Sequence, residues 1–592
     1  MQTNQDYYRT VGLRSTILWW VVVFFVFIFI LRLFYVQVVR NSYYVEEAKA
    51  SQVTKLTIFP ERGNIYAVDN LGEEIVPFVL NETVYTVFAD PYEVKNALEV
   101  RNVVNEIAAG EIVETGFDLL DDKKLRYAVL ARQVSRPQAE MIAKKELAGV
   151  GLQKGSRRVY PEGILASQLL GFVDNEGIGK YGLEGYMDKE LGGVPGRLET
   201  VTDVRRIPLT IGDDNVSQPA LDGSDVVLSI DRSVQFKAER LLREGLERSK
   251  ATKGSILVMN PSNGRILAMA NYPTYDPAKY TEVDDYAVFQ NKTVAYPYEN
   301  GSVMKTLTMG AGLDSGAVTV NSTFADGTGC YKMEEWPKAI CNVEDDPKKA
   351  AATMLDVLRY SLNTGVIYVL RQMGGGTIND QARNTLYSYF HDKYRYGQLT
   401  GVEQDGELAG TIIKPTDQEG SSIRYANMTF GQGMDNTMIQ TASAFSMIIN
   451  GGTYYKPTLV RGTYQQGQVI EKMPEVVASS VIRADISEQI RDLIWQGRKT
   501  GFFGKNDPEG FKVGGKTGTS QVIDPKTGRY SDDNSIGTYL GFGGSNSPEY
   551  VIMVRVDDAK VPGYAGTSAA GPIFNDMSNW LLRYLNVLPS AG

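Results

Sequence analysis

At 592 residues the chain exceeds a single compact core; a prior of roughly 150 residues per domain allows three or four units, fewer if one is large, and two or three folded pieces are expected. Its formal net charge of -9 offers no electropositive footprint for a polyanion, which argues against nucleic-acid binding. Charged residues at 22% and hydrophobic ones at 43% suit an ordinary globular body, so any membrane character must be local.

That local segment comes first. Ile17 to Leu31 is unbroken and apolar, and the pattern resumes after Arg32 as far as Val39, reaching the roughly 20 residues that span a bilayer. The exit through Leu33, Phe34 and Tyr35 lacks the small residues of a cleavage site, so the segment reads as an uncleaved transmembrane anchor over 17–39. Residues 1–16 are expected to be a cytoplasmic leader. Nearly all of the chain follows the span, which places the bulk at the cell membrane on the extracytoplasmic side. Arg32 either snorkels to the headgroups or meets another membrane helix.

Beyond the anchor, Pro60-Glu61-Arg62-Gly63-Asn64-Ile65-Tyr66 and Asp69-Asn70-Leu71-Gly72 are strand and turn signals. Asn96 to Ala109 and Arg136 to Lys145 have helical composition, and Leu183 to Leu191 reads as one short helix stopped by Gly192-Gly193. This stretch predicts an extended mixed α+β domain over 40–221, ending in the polar turns Gly212-Asp213-Asp214-Asn215 and Pro219 to Gly223. A second domain over 222–592 opens with a strand at Val226 to Ile230 and a helix at Ser233 to Arg248. A hairpin follows, Gly254 to Asn260 and Gly264 to Ala270, turning at Pro261-Ser262-Asn263. Helices are predicted around Met304, Leu355 and Met438, strands at Phe511 to Gly515, Thr538 to Phe542 and Tyr550 to Val556, and a closing helix at Ile573 to Leu585. Strands at both ends with helices between predict an α+β fold, a sheet sandwiched by helices. Cys330 and Cys341 are the only cysteines; a disulfide closing a small loop is favoured over two free thiols, and two further ligands for a metal are lacking.

Three short motifs carry the chemistry. Ser302-Val303-Met304-Lys305 sets a hydroxyl and an amine on one helix face, with Cβ atoms about 5–6 Å apart. A serine hydroxyl needs a base, and a lysine made neutral by burial and a nearby cation can be one. The chain has one histidine, His391, which weakens a Ser-His-Asp reading. Gly301 permits a sharp helix entry, and the Ser302 N–H is half of an oxyanion hole. Ser361-Leu362-Asn363 ends a helical run, so that both side chains enter a cleft from a loop as a proton relay and a peptide-binding amide. Lys516-Thr517-Gly518-Thr519 follows Val513-Gly514-Gly515, and strand alternation lets Thr517 and Thr519 project together as a rail for a peptide and its carboxylate. Lys526-Thr527-Gly528 repeats the triplet but lies between Asp524-Pro525 and Arg529, a polar turn, so Lys516 is the functional copy. No other Ser-x-x-Lys or Ser-x-Asn occurs in the chain.

The trio in this order is the signature of penicillin-binding proteins and class A β-lactamases. Over nearly its whole length the chain resembles the class B penicillin-binding proteins, monofunctional peptidoglycan D,D-transpeptidases. The resemblance extends to Arg62-Gly63-Asn64-Ile65, Tyr160-Pro161-Glu162-Gly163, Leu169 to Val173, Gly182-Leu183-Glu184 and Leu191-Gly192-Gly193 of a non-catalytic pedestal. It also covers Val258-Met259-Asn260-Pro261, Gly264 to Ala270, and Phe430-Gly431-Gln432-Gly433 before Gln440. It implies that Ser302 is acylated by a stem peptide or a β-lactam, with Lys305 as base and Ser361 and Lys516 moving the proton. Asn363, Thr517, Gly518 and Thr519 bind the peptide, and the Thr519 N–H completes the oxyanion hole. No cofactor or metal is implied. Asn300 and Thr306 depart from prolines usual in the family. Ala166 to Val173 and the ending near Leu588-Pro589 look more like the cell-division branch than the elongation branch. No glycosyltransferase domain precedes Ser302, so the resemblance implies a multi-span membrane glycosyltransferase as partner, beside other cell-wall synthesis proteins. A β-lactam sensor or resistance protein is the alternative class.

Overall fold

The computed structural model describes residues 3–44, 53–201, 216–333, 336–343, 349–523 and 530–590. The repeated triplet at Lys526 lies outside them. Contacts divide the chain into two compact units, Met1–Pro60 with Gly193–Asp222, and Glu61–Gly192 with Gly223–Gly592. The first holds a helix, Thr3–Phe34, continued by a wider helical turn over Tyr35–Val39. Arg14–Val39 is long and apolar enough to cross a membrane, its 26 residues reaching about 39 Å against a hydrocarbon core of about 30 Å. The same unit contains a three-stranded antiparallel sheet of Val53–Ile58, Gly196–Val201 and Val216–Gln218.

In the second unit the elements that matter run, in chain order, as strands β1 (Ile65–Asp69), β2 (Glu74–Ala89), β3 (Ala128–Ser135), β4 (Val150–Val159) and β5 (Val226–Asp231). Helix α1 (Arg232–Ser249), strands β6 (Lys253–Met259) and β7 (Ile266–Tyr272), and helices α2 (Met304–Asp314), α3 (Asn363–Met373) and α4 (Met438–Ile449) follow. Strands β8 (Val460–Gln465) and β9 (Gln468–Glu471), helix α5 (Ala484–Lys499), strands β10 (Lys512–Ile523), β11 (Tyr530–Gly544) and β12 (Pro548–Asp557), and helix α6 (Gly571–Tyr584) complete the set. Leu183 to Leu191 is not one helix. It is two single turns, Gly182–Tyr186 and Asp188–Gly192, broken at Met187. The Arg62 guanidinium reaches into both turns, to Glu184 Oε2 at 2.8 Å and Asp188 Oδ1 at 2.7 Å, so two separate acceptors fix the break.

One seven-stranded sheet runs β9-β8-β5-β1-β2-β3, with β4 also on β2. Within it β5 and β1 are parallel, Val226 facing Ile65. The sheet therefore takes strands from both sides of position 222, where turn chemistry alone suggested a boundary. The turn at 212–215 lies outside the described residues, and Leu221 and Asp222 are exposed between the strands of the sheet. In the last turn of α6, the Tyr584 hydroxyl donates to Asp231 Oδ1 at 2.9 Å and lies 3.4 Å from Asp69 Oδ1, at the ends of those two parallel strands.

The second sheet is antiparallel in the order β7-β6-β12-β11-β10, leaving β10 as an edge. Alternation along its strands feeds two cores. Ile256 and Val258 of β6, with Ile552, Val554 and Val556 of β12, pack under Val234, Leu241 and Leu242 of α1 and under Ile573, Phe574 and Met577 of α6. Leu257, Met259, Val551 and Met553 face the other way, into a core shared with Val303, Met304 and Leu307 at the start of α2 and with Phe445 of α4. Helices thus cover both faces, as the sandwich expectation requires. The strands outrun their predicted lengths because apolar periodicity marks only their middles. At its far end, Lys516 to Gln521 of β10 are polar residues or glycine yet still paired.

Candidate active site

Gly301–Val303 forms a tight turn that runs directly into α2. Gly301 has φ +63°, and a Cβ there would stand 2.8 Å from Thr519 O, so the position demands glycine on both counts. The Gly301 N–H donates to Gly431 O at 3.2 Å. The Gly433 N–H donates to Glu299 Oε1 at 2.7 Å, so the Phe430-Gly431-Gln432-Gly433 segment braces the turn from behind. Asn300 is buried, and its Nδ2 donates to Thr441 Oγ1 of α4 at 2.9 Å. Ser302 is partly exposed at the top of this brace, and Lys305 one turn later is 0% exposed.

The Lys305 ammonium donates to Ser361 Oγ at 3.1 Å and also bonds the Ser361 carbonyl. Ser361 sits at φ +58°, a left-handed conformation that costs a non-glycine residue of order 1 kcal/mol and turns the chain between two helices. Asn363, expected on a loop beside Ser361, is instead the first residue of α3. Its Nδ2 donates to Cys341 O at 2.9 Å. Cys330 and Cys341 are disulfide-bonded, face each other across a two-residue antiparallel ladder, and so close a short hairpin over the α3 N-terminus.

The edge strand β10 completes the site. Gly518 pairs with Thr538 of β11, and a Cβ on it would lie 2.6 Å from Asn300 O and 3.2 Å from Val303 Cγ1. Lys516 and Gly518 therefore share the face turned to the Gly301–Val303 turn, and Lys516 is 5% exposed. The bonds described for Lys516 run to Thr517, at 3.0 Å to O and 3.4 Å to Oγ1. Thr517 and Thr519, the expected threonine rail, share the opposite face by strand alternation; Thr519 Oγ1 accepts from the Gly566 N–H at 3.3 Å, ahead of α6, and the main chain of Thr519 meets Gly301. Beneath the strand the Tyr298 and Thr538 hydroxyls share a hydrogen bond of 3.2 Å. Burial pushes the Tyr298 phenol up to about 12, against the opposing effect of the Arg555 cation seated 4.3 Å over its ring.

Residues 254–579 match the penicillin binding protein transpeptidase domain, and residues 57–228 match the penicillin-binding protein dimerisation domain. The chain belongs to the penicillin-binding proteins. This penicillin-binding protein is 30% identical over 593 residues to stage V sporulation protein D of Bacillus subtilis, covering 96% of this chain and 86% of that one. To the peptidoglycan D,D-transpeptidase FtsI of Escherichia coli it is 27% identical over 566 residues, with 95% and 90% covered. Its fold is similar to crystallised penicillin binding protein 3 of Mycobacterium tuberculosis complexed with aztreonam, at a TM-score of 0.65 and 23% identity over 91% of this chain and 98% of that one. Within the penicillin-binding protein, the Lys305 and Ser361 motifs meet through a hydrogen bond, and Gly518 and Thr519 pack on the turn at Asn300 and Gly301. His391, by contrast, is paired with Asp392 and stacked on Tyr387. Sequence reasoning did not find Glu299, Thr441 or the Cys341 carbonyl as supports of these motifs. The signal available for Gly431 was its place in a glycine pair.

Proposed function

We propose that this penicillin-binding protein is a peptidoglycan D,D-transpeptidase that cross-links stem peptides in septal wall synthesis, and that β-lactams inhibit it by acylating Ser302. The observation that carries this reading is the buried Lys305 side chain, its Nζ bonded to Ser361 Oγ at 3.1 Å and one helical turn from Ser302, where it acts in its neutral amine form. In the reaction, Ser302 Oγ attacks the carbonyl of the penultimate D-Ala, and its proton passes to the Lys305 amine. The C–N bond to the terminal D-Ala breaks, and the leaving amine takes a proton returned through Ser361 and Lys516. An amine from a second stem peptide then attacks the Ser302 ester and restores the hydroxyl. The Ser302 and Thr519 N–H groups hold the developing oxyanion, while Asn363, with the main chain of Thr517, Gly518 and Thr519, holds the peptide.

In this reading residues 17–39 anchor the protein in the cell membrane after a cytoplasmic leader over 1–16, 40–221 form a pedestal, and 222–592 form the extracytoplasmic transpeptidase. Strand polymerisation falls to a multi-span membrane glycosyltransferase partner. The test is labelling of the detergent-solubilised chain with a fluorescent penicillin beside Ser302→Ala. The parent takes a stable covalent label and the variant takes none. A label that persists in Ser302→Ala removes that serine from its role, and a label lost within minutes points to a β-lactam hydrolase.

A further inference from the structure

We infer that Asp326 and Asn342 are positioning residues for the peptide-binding amide of Asn363. The inference rests on the transpeptidase reading of Asn363 and deepens it. Asp326 is 4% exposed, and its carboxylate is divided between two donors: Thr364 Oγ1 gives Oδ1 a proton at 2.7 Å, and Asn342 Nδ2 gives Oδ2 one at 2.9 Å. Asn342 closes the ring, its Oδ1 accepting the Thr364 N–H at 3.0 Å. The Thr364 hydroxyl also lies 3.1 Å from that Oδ1, but it has one proton, and the shorter bond to a carboxylate takes it. Asp326, Asn342 and Thr364 thus form a cycle in which every donor has a distinct acceptor.

The cycle matters because of what adjoins it on each side. Asn342 follows Cys341, whose carbonyl holds Asn363 Nδ2, and Thr364 follows Asn363 itself. The Asn342 N–H is tied to Gly329 O at 2.8 Å, which fixes the other end of the hairpin. The two residues that orient the Asn363 amide, its own backbone and the Cys341 carbonyl, are therefore each held through the neighbouring member of the cycle. A carboxamide has two N–H groups and one oxygen. With one N–H fixed on Cys341, the second N–H and Oδ1 face the cleft in one orientation, the condition for holding an extended peptide at hydrogen-bond distance. Asp326 and Asn342 do not touch the peptide.

The donor pattern supplies its own test. Asp326→Asn removes the charge and leaves one oxygen where the carboxylate offered one to Thr364 and one to Asn342, and Asn342→Asp sets two carboxylates face to face. The exchanged pair, Asp326→Asn with Asn342→Asp, restores each bond: an N–H from 326 to a carboxylate at 342, the Thr364 N–H to that carboxylate, and the Thr364 hydroxyl to the remaining oxygen at 326. The experiment measures the second-order acylation rate of the full solubilised chain by a fluorescent penicillin, with the melting temperature of each variant and Ser302→Ala as blank. Each single change slows acylation about tenfold, the scale of one buried group left unpaired, and the exchange recovers it to within about threefold. Single variants that acylate within about twofold of the parent overturn the inference, on the same scale of resolvable coupling. So does an exchange that restores the melting temperature but not the acylation rate, since the cycle is then only structural. A parent that takes no label overturns this inference together with the proposed function, whereas a labelled parent with unaffected variants overturns this inference alone.

Discussion

Gly518 packs the edge strand directly on the Gly301–Val303 turn, and Gly518→Ala probes how closely the two are set. The new Cβ would stand 2.6 Å from Asn300 O, about 0.7 Å inside the closest ordinary C···O contact of about 3.3 Å. The obstacle is a backbone carbonyl in a braced turn, so the strand rather than the turn must give. Overpacking of this kind costs about 1–3 kcal/mol. Yet the same shift moves Lys516 and the Thr519 main chain away from Ser302, and displacement of order 1 Å costs about 100-fold in rate. The expected outcome is a modest fall in melting temperature with a fall of about 30- to 100-fold in acylation by a fluorescent penicillin. Gly155→Ala serves as the control, because a Cβ on β4 meets only Val84 O at 3.9 Å. Acylation within about twofold of the parent, alongside the expected loss in stability, would falsify the claim that β10 is set against the turn by contact at Gly518.

Thr441→Val removes the one described partner of the Asn300 amide and leaves a buried N–H unpaired; stability falls by about 1–3 kcal/mol in urea unfolding, and an unchanged midpoint refutes the brace. Asp314, at the end of α2, supplies the pH dependence. Burial pushes its carboxyl up, but the Arg483 N–H, the Tyr389 hydroxyl and the Lys393 ammonium outweigh that and hold it below the usual carboxylate range. A depressed carboxylate contributes stability in full above its unfolded value of about 3.9, and the contribution fades as pH falls through the lower folded value. Asp314→Asn therefore loses stability at neutral pH and flattens the acid limb of a stability-versus-pH curve; a parallel limb would remove Asp314 from the acid response.

Much of the site was legible because its signals are local. Ser302 and Lys305 need only one helical turn, and the glycine- and valine-rich approach to Lys516 marks it as a strand residue, as it is in β10. The supports of those residues were not legible, because they come from distant segments. Nothing near Asn300 in sequence points to Thr441, and nothing near Asn363 points to Cys341. The same holds for the strand: alternation says which side chains go together, while the packing of Gly518 on Asn300 decides which pair faces the Gly301 turn. In the fold, apolar periodicity found the central strands and the helices of the sandwich. It missed the continuity of the first sheet, because parallel pairing of Ile65 with Val226 leaves no trace in either local pattern.

That pairing has a consequence for how the protein is made. Strands β1 to β4 leave the ribosome first, but β1 has no neighbour on one side until β5 emerges, and β8 and β9 extend the sheet only after some 230 further residues. Pairing across such separations must meet its loop-closure cost before it is rewarded, so it is slow, and an unpaired edge in the interval is open to association with other chains. Tyr584 then fastens Asp231 and Asp69 from the last turn of α6. The first strand of that sheet is secured by the last helix of the set, and a shortened chain lacking α6 would lose that clasp.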